Sequence, residues 1–353
     1  MPVYIQSAEA ISPQETFQTD SFLENPVVPE KEYFTCIHPD YKQYINPGAL
    51  RRMSNVIRMG LATSKICLAK AGIKKPGAIL IGSGLGCVHD TAKFLNQIID
   101  NKEQLLNPTA FIQSTHNTVS GQIALMLGCK EYNLTFSQKT ISFETALLDA
   151  LMRLKDNRDR NVLVGGIDEI VEESFALMVQ GGCAKGRMED DILNSPTPGS
   201  VAGEGASFFV LSGEKNPSTI AQIDDLEIVT RCQGVGELNN KLEAFLVRNG
   251  VSFEGVDLVV SGNNGDARYS SYYNHIHKLF SGSIITGYKH LVGEYDTASA
   301  FGMYLASKII QGNVVPESVR INRRSREKIS TALVFNYSKN RDFTSVLLSL
   351  PDR

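Results

Sequence analysis

An α/β fold is predicted for this chain by two observations: short β-rich runs alternate with segments of helical spacing from end to end, and several of the runs are apolar on both faces. A strand apolar on both faces is a buried one, covered by helices above and below. The 353 residues are 42% hydrophobic and 21% charged, near the average for soluble globular proteins and enough for a large core.

The first expected strand is YIQSAEAIS (4–12), followed by helical spacing over 48–72 and the strand AILIGSG (78–84). Gly82, Gly84 and Gly86 then precede a helical pattern, as a nucleotide-binding turn would. A dinucleotide fingerprint needs Gly-x-Gly-x-x-Gly, and here the third Gly comes one residue early, so the triplet reads as a tight strand-to-helix crossing. Helical spacing at 118–128, the strand NLTFS (133–137), helical spacing at 142–155 and the strand NVLVGGID (161–168) follow. The polar, Pro-containing stretch 186–200 reads as a surface loop. Gly203 and Gly205 flank Glu204 ahead of the strand ASFFVLSG (206–213), which predicts an unusual backbone path. Residues 212–222 (SGEKNPSTIAQ), between one strand and the next, are the most linker-like, and a boundary near 215 divides the chain unequally.

Beyond the boundary come helical spacing at 238–249, the strand DLVVSG (257–262), and a turn at Asn263, Asn264, Gly265 and Asp266 built from residues that tolerate positive φ. Helical spacing at 268–280, the strand SIITGY (283–288) and a small-residue helix at 296–311 follow, with Asp296 and Thr297 placed to cap that helix. The strands TALVFNY (331–337) and FTSVLLSL (343–350) close the pattern.

Charge excludes one class of function. Thirty-five Lys and Arg against 38 Asp and Glu give a net charge of −3, too little basic field for a nucleic-acid partner. No apolar run approaches the roughly 20 residues that span a bilayer, and MPVYIQSAEAIS has neither a basic nor an apolar leader region. A cytoplasmic protein with no membrane partner is expected. The cysteines at 36, 67, 87, 129, 183 and 232 form no Cys-x-x-Cys and read as reduced, mostly buried thiols, so neither metal nor cofactor is expected. The histidines at 38, 89, 116, 275, 277 and 290 are scattered, none sits in a Gly-x-Ser-x-Gly motif, and His275 and His277 do not share a helical face.

Taken together, FIQSTHNTVSGQIALMLGCKEYNLTFS (111–137), NVLVGGIDEI (161–170) and TPGSVAGEGASFFVLSGE (197–214) resemble, in order and spacing, the β-ketoacyl synthases of the thiolase-like superfamily. The resemblance runs nearly the whole length. It implies a layered α/β/α/β/α fold of two related halves with mixed sheets, residues 1–214 and 215–353. An active member carries a Cys at the N-terminus of a buried helix, where the dipole favours thiolate, and two His that assist decarboxylation. Laid on that pattern, Thr140 occupies the nucleophile slot, with Gln138 and Lys139 before it, and Gly262 occupies the first His slot. Lys289 of the Lys-x-x-x-Gly-His motif is retained, but Glu294 stands where the second His belongs. The Gly-rich, Phe-bearing gate aligns with Tyr337, Ser338, Lys339, Asn340, Arg341 and Asp342. A Gly and a negative Glu in place of two imidazoles forfeit the donors that stabilise an enolate.

The resemblance therefore implies a catalytically degenerate subunit like a chain-length factor of fatty acid, polyketide, aryl-polyene or flexirubin-like pathways. Its partners would be an active ketosynthase in a heterodimer, or itself in a homodimer, and an acyl carrier protein. The commonest chain-length-factor pattern has Gln at the Cys slot, whereas here Gln138 lies two residues earlier. Two other readings stand beside it. One is an active condensing or acyl-transfer enzyme with Thr140 or Cys183 as acceptor and Glu294 as base; the other is a non-catalytic homodimeric scaffold or carrier-protein binder. Arg51, Arg52, Arg158 and Arg160 are candidates to meet an acidic carrier protein.

Overall fold

The computed structural model describes residues 2–17, 22–338 and 341–351. Among them ten strands form one sheet: β1 Val3–Ile11, β2 Ala78–Gly82, β3 Tyr132–Phe136, β4 Asn161–Asp168, β5 Gly205–Ser212, β6 Ala221–Val229, β7 Leu258–Ser261, β8 Ile284–Gly287, β9 Thr331–Tyr337 and β10 Phe343–Ser349. The helices are α1 Pro47–Leu50, α2 Asn55–Lys70, α3 Val88–Asp100, α4 Pro108–Gln113, α5 Thr118–Leu127, α6 Ser142–Lys155, α7 Glu172–Gln180, α8 Val235–Arg248, α9 Ser270–Leu279, α10 Lys289–Val292 and α11 Ser299–Gly312. None is long and apolar enough to cross a membrane.

The strand order β3-β2-β4-β5-β1-β6-β10-β9-β7-β8 reads the same from both ends once β6–β10 are put for β1–β5. The pairings repeat as well. β2 runs parallel between β3 and β4, and β5 is antiparallel to β4 and β1. In the same way β7 runs parallel between β8 and β9, and β10 is antiparallel to β9 and β6. The two five-strand arrays meet through a short antiparallel ladder, Val3 opposite Ile223, Tyr4 opposite Gln222 and Ile5 opposite Ala221. The polar stretch 213–220 is the turn that leads from the first array into the second.

Strand periodicity sorts side chains into three cores, because successive residues of a strand point to opposite faces. Ala78 and Leu80 of β2 and Val162 and Val164 of β4 pack on α6 and α11, as do Leu258 and Val260 of β7 and Ala332 and Val334 of β9. Their neighbours Ile79, Ile81 and Leu163 face α2 and α5 instead, while Val259, Leu333 and Phe335 face α8 and α9. The result is five layers, with α6 and α11 enclosed between the two arrays. The helix α11 is buried along almost its whole length. Its small residues serve that enclosure: Ala300 packs over Gly166, and Gly302 leaves room for the Tyr288 ring.

Four local expectations need correction. The 48–72 segment is two helices, because Arg51–Ser54 turn out and Ser54 starts α2 afresh. The helix at 299–312 has Ala298 as its cap residue and no side-chain cap, because Thr297 bonds through both its N–H and its hydroxyl to Asp168 rather than to its own helix. Gly203 and Gly205 are not at positive φ; a Cβ at Gly203 would lie 2.1 Å from the Val292 carbonyl oxygen, and one at Gly205 2.4 Å from the Tyr295 hydroxyl. In the turn after β7 only Gly265 has positive φ, at 70°. The asparagines shape that turn through side chains that accept backbone N–H bonds two residues on.

Candidate functional site

In parallel α/β sheets ligands bind outside the carboxyl ends of the strands. Both arrays bring such ends to one place. Thr140 follows β3, Asp168 ends β4, Gly262 follows β7, Lys289 follows β8 and Ser338 follows β9. Thr140, Asp168, Cys183, Glu294 and Ser338 line a common cavity of about 500 Å³, together with Lys139, Asn264 and Arg268. Among the described lining residues there is no histidine.

The connection from β3 to α6 is tight. Lys139 adopts φ +55°, and a 3-10 turn over Lys139–Ile141 carries Thr140 two residues ahead of the helix. Ser142 holds the turn by accepting from Gln138 N at 2.8 Å and donating to Lys139 O at 2.6 Å. Thr140 is buried, and its hydroxyl donates to Ser338 Oγ at 2.9 Å. A hydroxyl becomes a nucleophile when a base takes its proton, and Ser338 is not one.

Beside this pair lies a second network. Lys289 is 2% exposed; its ammonium donates to Glu294 Oε1 at 3.0 Å, Glu294 Oε2 at 2.8 Å and Asn336 Oδ1 at 2.8 Å. Asn264 Nδ2 also donates to Glu294 Oε2, at 2.6 Å. Glu294 thus accepts from one ammonium and one amide. Gly262 does not line the cavity but makes this network possible, since a Cβ there would stand 2.4 Å from Asn336 Oδ1.

Asp168 closes the other side. Its Oδ1 accepts from Ser83 Oγ, Gly84 N and Leu85 N, and its Oδ2 accepts from Thr297 N and Thr297 Oγ1, at 2.8–3.3 Å. Burial, and then the nearby Asp296 charge, push its carboxyl up to about 7 against those donors. Burial likewise raises Glu169 to about 7, although it accepts from Val56 N and His89 N. Glu204 ties the Gly-Glu-Gly loop to two distant segments by accepting from Cys36 N at 2.9 Å and Ile170 N at 3.1 Å, and burial raises its carboxyl. The Gly82 to Gly86 segment is a close crossing, where a Cβ at Gly82 would lie 2.5 Å from Ser142 C.

Cys183 lines the cavity and is half-buried, whereas the other five cysteines are buried free thiols. Burial raises the thiols of Cys36, Cys67 and Cys87. Arg268, chelated by Asp266 through Nε at 2.9 and 3.1 Å, reaches from the cavity wall to Gly182 O. Between β9 and β10, Ser338 N donates to Asp342 O and Arg341 N to Ser338 O; Lys339 and Asn340 lie outside the described residues. The four arginines do not share a surface. Arg51 and Arg52 line a cleft with Lys93, and Arg158 and Arg160 one with Lys75. His275 and His277 bond separately, to Asn239 and Ser261.

Asn336 and Asp168 escaped the sequence reading, yet each leaves a signal: a polar residue inside or ending an otherwise apolar buried strand. A buried polar group requires partners, and the partners here are the site.

Residues 38–185 match the family model described as β-ketoacyl synthase, N-terminal domain. No protein of curated function matches the chain in sequence. A β-ketoacyl synthase from Burkholderia phymatum STM815 superposes with TM-score 0.82 at 14% identity, covering 99% of this chain and 100% of its own. The ishigamide ketosynthase/chain length factor does so with TM-score 0.82 at 16% identity over 99% of both chains. AntDE:AntF, a type II PKS acyl-carrier protein in complex with its ketosynthase bound to the hexaketide, gives TM-score 0.77 at 14% identity, again over 99% of both chains. The layered architecture with mixed sheets is the thiolase-like fold of these ketosynthases.

Proposed function

We propose that this chain, built on the ketosynthase fold, is a catalytically silent subunit that pairs with an active β-ketoacyl-carrier-protein synthase in the manner of a chain-length factor. One observation carries the reading: the hydroxyl of Thr140, the residue the resemblance puts at the Cys slot, donates its hydrogen bond to another hydroxyl, Ser338 Oγ, and not to a base, while Glu294 is paired with Lys289. A condensing enzyme needs donors where the enolate charge develops, and a carboxylate there repels it. The cavity persists, and a subunit that shapes an acyl tunnel needs a cavity without chemistry.

Supporting the pairing, the edge strand β3 is flanked by apolar side chains that none of the described residues covers. Leu125 on α5 is 75% exposed and Met152 on α6 56%, with Leu134 on β3 and Leu148 on α6 also exposed. An unpaired edge strand bordered by such a patch is a template for another chain. The occupant in this reading is a ketosynthase, and a second copy is the other outcome.

The test is co-expression with the ketosynthase from the same genome, then size exclusion and intact mass after incubation with an acyl carrier thioester. A heterodimer acylated only on the ketosynthase is expected. Elongation of the thioester by this chain alone sinks the proposal. Cys183, as the one half-buried thiol on the cavity wall, favours a second reading of acyl transfer, and an adduct located on it would replace the first.

A further inference from the structure

The 16-residue helix α2 starts at Ser54, whose side chain does not cap it. Its first turn opens on a cleft of about 450 Å³ whose walls carry Arg51, Arg52, Arg58 and Lys93 against the single carboxylate of Asp90. Three polar atoms of that wall are buried without a partner: Arg58 Nε, Ser54 Oγ and Asp90 Oδ2. Arg58 is anchored, since its Nη2 donates to Leu50 O at 3.2 Å. A buried donor without an acceptor is destabilising, and a guanidinium donor more so.

We propose that this cleft binds a small phosphate ester that also carries a hydroxyl or amide hydrogen. The N-terminus of α2 is already served by Glu169, which accepts from Val56 N, so it is the cation excess of the cleft that favours an oxyanion, whose oxygens satisfy Arg58 Nε and Ser54 Oγ. The ester's own O–H or N–H satisfies Asp90 Oδ2, which a bare anion leaves unpaired. A second basic cleft, lined by Lys75, Lys130, Arg158 and Arg160, lacks this signature: among its described lining residues no buried side-chain atom is without a partner, and Lys75 Nζ already donates to Gly128 O. The inference does not depend on the ketosynthase reading.

Isothermal titration of the full chain at fixed ionic strength and pH 7.5, with sulfate, which carries no hydrogen to donate, and with glycerol 3-phosphate, tests it. Saturable one-site binding is expected, tighter for glycerol 3-phosphate. Arg58→Met should weaken both probes by about ten-fold or more, as loss of a charge-assisted donor does. Asp90→Ala should remove the preference for the ester, and Lys75→Ala should change neither affinity. Lys93→Ser, at an exposed position, should weaken both probes and keeps the test decisive if Arg58→Met does not fold. Absence of saturable binding overturns the proposal, as does binding that neither Arg58→Met nor Lys93→Ser weakens.

Discussion

Lys289, which is buried, and Glu294, which is half-buried, form an ion pair whose stability role differs from its worth as a contact. Removing one partner strands the other charge, so Lys289→Met should destabilise by about 3 kcal/mol, and Lys289→Met with Glu294→Gln should recover part of that loss. Urea unfolding of the two singles and the double measures the coupling. Gly262→Ala should cost about 1–3 kcal/mol by the same assay, because its Cβ displaces Asn336 from Lys289. Asp168 and Glu169 set a pH dependence. Both carboxyls titrate near 4 when unfolded and at about 7 when folded, so the native state holds more protons in between and stability falls as pH rises across that window. Glu169→Gln should flatten the decline in unfolding midpoint between pH 5 and pH 8; an unchanged slope would show that Glu169 does not contribute.

At the scale of elements, the close approach of α6 to β2 decides where Thr140 sits. Gly82 allows the backbone of Ser142 and Phe143 to cross the end of β2 with nothing between, at 2.5–2.6 Å from the place of a Cβ. Neither obstacle is a flexible side chain, so Gly82→Ala should lose about 3 kcal/mol or fail to fold, measured by thermal unfolding. The turn 263–266 is robust by comparison, since its side chains and backbone supply one another's hydrogen bonds. Asp168 joins elements from both arrays, the end of β4 and the start of α11, which makes the cavity a product of their docking.

At the scale of the whole molecule, the two arrays repeat one topology and enclose α6 and α11, leaving β3 and β8 as the outer strands. If the patch around β3 is the subunit interface, Leu134→Lys with Met152→Lys should leave the fold intact and abolish association in light scattering. Those side chains are exposed in the isolated chain, so no core packing is lost. Unchanged assembly would place the interface elsewhere.

The sequence by itself determined the elements that physics makes local: strands apolar on both faces, helices at 3.6-residue spacing, and the residue types at the site. It placed Thr140, Lys289 and Glu294 near strand ends. What those residues touch depends on docking, because Thr140 and Ser338 are 198 positions apart, as Asp168 and Thr297 are 129 apart. Their hydrogen bonds are satisfied only when the two arrays close on α6 and α11. At two helix starts a buried carboxylate from elsewhere accepts a backbone N–H that has no partner within the helix, Glu169 from Val56 and Asp168 from Thr297. Tertiary structure outbids a local cap because a buried carboxylate without donors costs more than a helix end that is merely uncapped.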